Sequence, residues 1–466
     1  MDQPKVLPNY GAISHSVPAT PLPVYYLTPL PPPPRKRYGF FKAFVAALVL
    51  IWFTHHLFNK VGTRWVYPLS DSDPTQHRHH SHRHSPYESG WDIGVSGLDH
   101  DAEGCAVWDH YDPDHPLQVT KDAQSSGNAT RRHGDDDKFT FSIPISSERY
   151  HFVSWGPIDK SSIQLLPVKS DKKQIVVEIE ILKDPRGVAR VCALPSNKDD
   201  NGDDTYGVGI YSPRLPHPHP STDWPAFKIT VYVPAGGGKS LGALETRLGQ
   251  FEHVFPDLSN TRFTKLKVAA ANVPMAFDSV VADSVRVDNA NGPISGNLVS
   301  ASSLVISNAN AVVRASLTLT QAGEIHLNNA NGDIDVVVHL KSDNQDSRPD
   351  FKIDANNANA PIDLVVADQP VDSGLFIKSN NAMGAIRAHL HPAFEGEFKL
   401  SNILRSSRVE FNNHDDPSGR DRERYLDFYK RGSFTTGNIR WGDRDAEHAP
   451  GSVTLSTVGA PLELYL

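Results

Sequence analysis

The side chains best placed to do chemistry are two carboxylate pairs, a histidine run, an acidic turn and two cysteines. Asp333 with Asp335, and Asp354 with Asp363, are acid pairs of the kind that cleave a glycosidic bond, one carboxyl protonating the leaving oxygen while the other attacks or activates water. Charged residues on solvated strands explain these positions equally well, and no catalytic, cofactor or metal residue is assigned. HRHHSHRH gathers His77, His79, His80, His82 and His84, enough imidazole to hold zinc or copper loosely. A solvated, pH-responsive linker is the simpler reading of that run. NKDDNGDD, with Asp199, Asp200, Asp203 and Asp204, has the acidity of a calcium loop. Counted from Asn197, however, its twelfth place holds Val208 where a bidentate glutamate is needed, so it reads as a surface turn. Cys105 and Cys192 are the 2 cysteines of the chain: too few for a zinc site or a disulfide framework, and a candidate single disulfide where the compartment is oxidising.

Membrane topology sets that compartment. Residues 38–58, YGFFKAFVAALVLIWFTHHLF, form the one strongly apolar stretch, long enough for a helix to cross a bilayer. A signal peptide fits poorly, because a long tail precedes the segment and no small-residue cleavage site follows it. Arg35, Lys36, Arg37 and Lys42 outnumber Lys60 and Arg64 on the far flank, which places the N-terminus in the cytosol and the C-terminal part outside or in a lumen. The sequon Asn128-Ala129-Thr130 lies on that outer side and is a candidate glycosylation site. In the tail, PLPPPPRKR carries the PxxP-basic form of an SH3 ligand; a stiff spacer ending in the basic flank of the anchor is the plainer alternative. The domain reading is therefore a disordered Pro-rich cytosolic tail (1–37), a transmembrane helix (38–59), a flexible His-rich stalk and polar linker (60–137), a β-rich N-terminal cap region (138–239) and a repeat domain (240–466) with a polar insertion at 411–450. Within the insertion, RDRERYLDFYKR reads as a short helix and the whole as a flap or cap. A net charge of −8, spread along the chain, leaves no basic footprint for nucleic acid.

Internal repetition decides the fold class. VRVDNANGPIS, LVISNANAVVR, IHLNNANGDID, IDANNANAPID and IKSNNAMGAIR share a frame centred on Ala290, Ala309, Ala330, Ala358 and Ala382, with Ala271 opening the series and Val458 ending it. Five places before the centre stand Leu266, Val285, Leu304, Ile325, Ile353, Ile377 and Val453; four places after it stand Met275, Ile294, Val313, Ile334, Ile362, Ile386 and Leu462. Between these columns polar and apolar residues alternate, the period of a strand. Each repeat is strand, tight corner, strand. Asn and Gly suit the corner because they tolerate left-handed backbone. Asn291, Asn310, Asn331 and Asn359, one place after the centre, are expected to stack as a structural ladder, their amides bonding from layer to layer. A layer of about twenty residues cannot bury its own apolar side chains, so layers must stack. The prediction is an all-β ectodomain, a β-solenoid or β-helix-like stack of about seven rungs. Five places after the centre the charges have mixed signs, pairing Arg314 with Asp335 and Asp363 with Arg387, which favours a solvated wall over a catalytic cleft.

On these repeats, IHLNNANGDID above all, the C-terminal half resembles the bacterial putative-adhesin β-solenoid family of unknown function. With its Pro-rich tail and single anchor the chain is similar to uncharacterised single-pass membrane proteins of filamentous and mushroom-forming fungi. The resemblance implies a non-catalytic, adhesin-like surface or luminal protein and supplies no catalytic residues. Its expected partners are the bilayer, through 38–59, a cell-wall glycan or surface protein, and an SH3-type domain for the tail; no cofactor is implied. The alternatives are a β-helix polysaccharide lyase or hydrolase using the acid pairs above, and a structural scaffold acting through its cytosolic motif.

Overall fold

The computed structural model describes residues 105–106, 138–169, 174–184, 189–198, 204–212, 224–236, 240–342, 348–442 and 451–466. The expected tail, membrane segment, His-rich stalk and sequon at Asn128 lie outside them. Among the described residues no helix is long and apolar enough to cross a membrane.

The described chain is all-β, as the alternation requires. Before the repeats come β1 (Cys105–Ala106), β2 (Lys138–Pro144), β3 (Arg149–Trp155), β4 (Ser161–Val168), β5 (Gln174–Lys183), β6 (Arg190–Lys198), β7 (Asp204–Tyr211), β8 (Ala226–Pro234) and β9 (Ala243–Arg247). Three long strands follow, β10 (Phe251–Ala269), β11 (Met275–Asp288) and β12 (Ile294–Ser307). Shorter ones come next: β13 (Val313–Leu319), β14 (Gly323–Asn328), β15 (Ile334–Leu340), β16 (Asp350–Asn357), β17 (Ile362–Asp368), β18 (Gly374–Asn381), β19 (Ile386–His389), β20 (Gly396–Asn402) and β21 (Arg408–Glu410). The chain ends with β22 (Arg424–Arg431), β23 (Phe434–Trp441), β24 (Gly451–Thr457) and β25 (Leu462–Tyr465). All belong to one large sheet that does not close.

Two parallel ladders make up the repeat region. In the first, Leu266, Val285, Leu304, Ile325, Ile353, Ile377, Val453 and Phe398 stand side by side. In the second the row is His253, Met275, Ile294, Val313, Ile334, Ile362, Ile386 and Leu462. No residue in either row is more than 2% exposed. Strands β10, β11 and β12 bend from the second ladder into the first, and the Asn corners carry the chain back again. Burial of a Leu, Ile or Val contributes about 1.5–3 kcal/mol each, so the core that stacking creates is what holds each layer. His253 is the exception in its row: its Nε2 meets Thr246 Oγ1 at 2.9 Å inside the core, both side chains fully buried. Burial lowers the His253 pKa to about 4, so the ring is neutral at physiological pH.

Upstream, IVVEIEIL and FKITVYVP are strands, lying within β5 and β8. They lengthen the ladders. The first ladder continues from β9 through β3 and β7 to the antiparallel strands β6 and β1. The second continues from β10 through β4 and β8 to antiparallel β5 and β2.

Two expectations are corrected. The segment RDRERYLDFYKR is no helix: Arg424–Arg431 is strand β22, hairpinned antiparallel to β23, which in turn pairs with β20. Its charges mask an alternation in which Arg424 and Leu426 lie against Trp441 and Ile439. Nor does the layer around Val458 end the stack in space. Residues 396–410 form a further layer outside it, β20 beside β24 and β21 beside β25, so that the segment 451–466 is inserted between two layers that precede it in sequence. Ser407, just before Arg408, stands at the place where the neighbouring layers of the second row carry Ile386 and Leu462, and its hydroxyl bonds Thr435 at 2.7 Å.

Candidate functional site

Three regions carry the polar chemistry of the described chain: the corners, the outward walls and the loops over the last layer. At the corners the inner asparagines do the deeper work. Asn289, Asn308, Asn329, Asn357, Asn381 and Asn402 are buried, and each donates from Nδ2 to a corner carbonyl of the neighbouring layer, those of Val273, Gly292, Ala311, Gly332, Ala360 and Ala460, at 2.7–2.9 Å. In the same corner, Asn329 Oδ1 accepts from the Ala330 amide at 2.9 Å. Buried amides that satisfy backbone groups on two layers fix both the turn and the register. The outer row is exposed: Asn291 donates to Asn272, Asn310 to Asn291, Asn331 to Asn310 and Asn359 to Asn331, each at 2.6 Å. With one amide hydrogen and one lone pair used in the row, each inner member still offers hydrogen-bonding capacity to solvent or ligand.

The outward walls carry paired charge. Arg314 lies 3.0 Å from Asp335, and Arg387 lies 3.0 Å from Asp363 and 3.3 Å from Glu463. On the first ladder His326 sits between Glu324 at 3.2 Å and Asp354 at 3.4 Å. His339 Nδ1 contacts Asp368 at 2.6 Å, and that hydrogen bond holds the Asp368 carboxyl below the usual carboxylate range. His389 stacks on Tyr465 of the next layer, ring centres 4.0 Å apart. Asp354 and Asp363, one of the two acid pairs, fall on different ladders and are not brought together. In the other, Asp335 is engaged by Arg314, while Asp333 lies exposed at the corner. Among the described residues no group of His, Cys, Asp and Glu could hold a metal ion. The acidic turn joins antiparallel β6 and β7, its residues 199–203 lying outside the described set.

The third region escaped the sequence reading, which treated it as a polar insertion. Arg422 bridges Asp416 at 3.0 Å and Glu395 at 3.2 Å. The Asp416 side chain is 2% exposed, and the Arg422 hydrogen bonds hold its carboxyl far below the ordinary range. Glu395 also accepts from the Trp441 amide at 3.1 Å, and the Trp441 indole donates to Pro392. Between Phe411 and Trp441, 5.5 and 5.4 Å from their ring centres, lies the Arg424 guanidinium, whose three nitrogens are buried with no hydrogen-bond partner. Burial lowers its pKa to about 10, leaving it charged at neutral pH. The arrangement locks the β22–β23 hairpin to the outermost layer. The only sequence signal was the density of Arg, Asp and aromatic residues across 411–442.

Cys192 is buried and disulfide-bonded. Strand β1 sets Cys105 directly opposite it, and the chain has no third cysteine.

No family model matches the chain, and no curated protein matches it. Among solved structures it is similar to "a putative cell adhesion protein" from Clostridium sporogenes, at 6% identity and a TM-score of 0.18, over 70% of this chain and 98% of that one.

Proposed function

We propose that the protein is a membrane-anchored, non-catalytic, adhesin-like surface or luminal protein that binds glycan or protein through the face of a β-solenoid. One observation carries the reading: the polar corner row and the walls of paired charge repeat layer after layer at the inter-strand spacing of roughly 4.8 Å. A surface of that kind meets an extended partner at many weak, equivalent contacts, and its affinity comes from their number. The acid pairs favour the same reading, since one is split between ladders and the other has a member already engaged by arginine. The disulfide-bonded Cys192 is in keeping with an oxidising side of the membrane. The test is retention of the full-length chain, solubilised in detergent, on cell-wall polysaccharides and on surface-protein fractions. Binding that weakens when Asn310, Asn331 and Asn359 are replaced together by Ala supports the proposal. No retention on any of these, or retention unchanged by the triple replacement, overturns it.

A further inference from the structure

We propose that the corner end of the three outermost layers, with the tip of the β22–β23 hairpin beside it, is a contact surface for a bilayer carrying anionic lipid. The inference stands apart from the ligand-binding reading and from the anchor at 38–59. It begins where the outer asparagine row stops. After Asn359 the same corner place is held, layer by layer, by Met383, Gly459 and Leu404. Leu404 leans over Gly459, its Cδ1 3.7 Å from where a Cβ would stand, and so covers the one place without a side chain. Ile403 precedes it in the turn. The hairpin tip lies alongside: the Asn402 amide donates to Ser433 O at 2.9 Å, and Phe434 stands opposite Ser401. Met383, Ile403, Leu404 and Phe434 are 49–53% exposed. Single exposed apolar residues are ordinary, but four on neighbouring turns make a patch, and patches mark interaction surfaces.

Charge names the partner. The segments that build this end, 378–385, 398–408, 429–436 and 454–460, contain Lys378, Lys399, Arg405, Arg408, Lys430 and Arg431 and no Asp or Glu. Three of the six cations are engaged within the chain. Arg408 meets Glu410 at 2.6 Å, Lys430 donates to Ser407 O at 2.8 Å, and Lys378 lies beside Asp354 of the neighbouring layer. Lys399, Arg405 and Arg431 are exposed, Arg405 following Leu404 in the turn and Arg431 standing opposite Phe434 in the hairpin. Apolar side chains with cations beside them match the two depths of a bilayer surface, the acyl boundary and the anionic headgroups. Shape favours lipid over an acidic protein. Met383, Ile403 and Leu404 ride on corner turns at the outside of the bend, whereas the anchors of protein interfaces are typically aromatic or Arg side chains in well-packed pockets.

The test uses the full-length chain in phosphatidylcholine nanodiscs, with a polarity-sensitive fluorophore on one introduced thiol; neither native cysteine is a free thiol. The label on Leu404→Cys is expected to shift to the blue when vesicles of phosphatidylcholine mixed with phosphatidylserine are added. With vesicles of phosphatidylcholine alone it is expected to stay unchanged, as is the label on Asn310→Cys with either vesicle. Label-free co-sedimentation gives a second measurement on exposed side chains. Arg405→Glu with Arg431→Glu, and separately Ile403→Ser with Leu404→Ser, are each expected to weaken binding to the mixed vesicles at least about tenfold. No response to either vesicle, an equal response at both labels or to both vesicles, or double variants that bind like the unmodified chain would overturn the proposal. So would a Leu404→Cys label that answers to polyglutamate in place of vesicles, assigning an acidic protein, or to chain concentration alone, assigning a second copy.

Discussion

Replacing Asn329 by Ala tests whether the buried corner amides, rather than the exposed row beside them, hold adjacent layers together. Asn329 is 1% exposed; its Nδ2 donates to Ala311 O at 2.8 Å, and its Oδ1 accepts from Ala330 N at 2.9 Å and Gly332 N at 3.4 Å. Truncation removes two good bonds of roughly 0.5–1.5 kcal/mol net each and leaves the half-buried Ala311 carbonyl and Ala330 amide without these partners, so the expected loss is about 2–4 kcal/mol. Asn331 is the control. It makes two 2.6 Å bonds, one to Asn310 and one from Asn359, but it is exposed, and water replaces both; Asn331→Ala is expected to cost under about 1 kcal/mol. The assay is hydrogen–deuterium exchange across residues 308–334. A loss of 2–4 kcal/mol speeds local opening by roughly 30- to 1,000-fold, because about 1.4 kcal/mol corresponds to a factor of ten. The exchange should rise at the Ala330 and Gly332 amides in Asn329→Ala and barely move in Asn331→Ala. Equal effects in the two variants, or a larger one in Asn331→Ala, would refute the assignment of the inner row as the lock.

Three further outcomes are expected. His253 is neutral in the fold with a pKa lowered to about 4 by burial; the unfolded chain, at about 6.5, binds the proton first, so stability falls as pH drops from about 6.5 to about 4. Over that window the loss is on the order of 3 kcal/mol, and urea titrations at stepped pH should show it shrinking in His253→Gln. Arg422→Met removes the guanidinium that joins Asp416 to Glu395 and should lower the unfolding temperature, whereas Arg424→Met removes a buried cation without hydrogen bonds and should be neutral or stabilising; thermal unfolding of the two separates these roles. Cys192→Ser should lower stability by about 2–5 kcal/mol, matched by adding reductant to the unmodified chain and with no additional effect of reductant on the variant.

Much of the fold was legible because apolar side chains return to fixed places in a frame marked by Asn-Ala-Asn corners. The columns read from Leu266 to Val453 and from Met275 to Leu462 are the rows found side by side. The layer at 396–410 was not legible. Its corner has Asn402 followed by Ile403 and Leu404 in place of Ala-Asn, and Ser407 interrupts its second column. Its position beyond β24 depends on pairing between distant segments, which local pattern does not encode. The β22–β23 hairpin was hidden for a different reason. A strand at the end of a ladder buries one face along only part of its length, so Asp427 through Arg431 carry no periodic signal. The Arg422–Asp416–Glu395 cluster was invisible because it is assembled by that hairpin.

The insertion of residues 451–466 between two earlier layers imposes an order in time. A ribosome delivers β20, β21 and the hairpin before it delivers the strands on which they lean, β24 and β25. Until then the edge of β18 has no native neighbour on its outer side, and residues 396–442 have no native seat on the stack. Completion of this end of the molecule therefore waits until residues 451–466 have been made. A message truncated before codon 451 would yield a protein whose repeats are intact up to β19 and whose outermost layer has nowhere to attach.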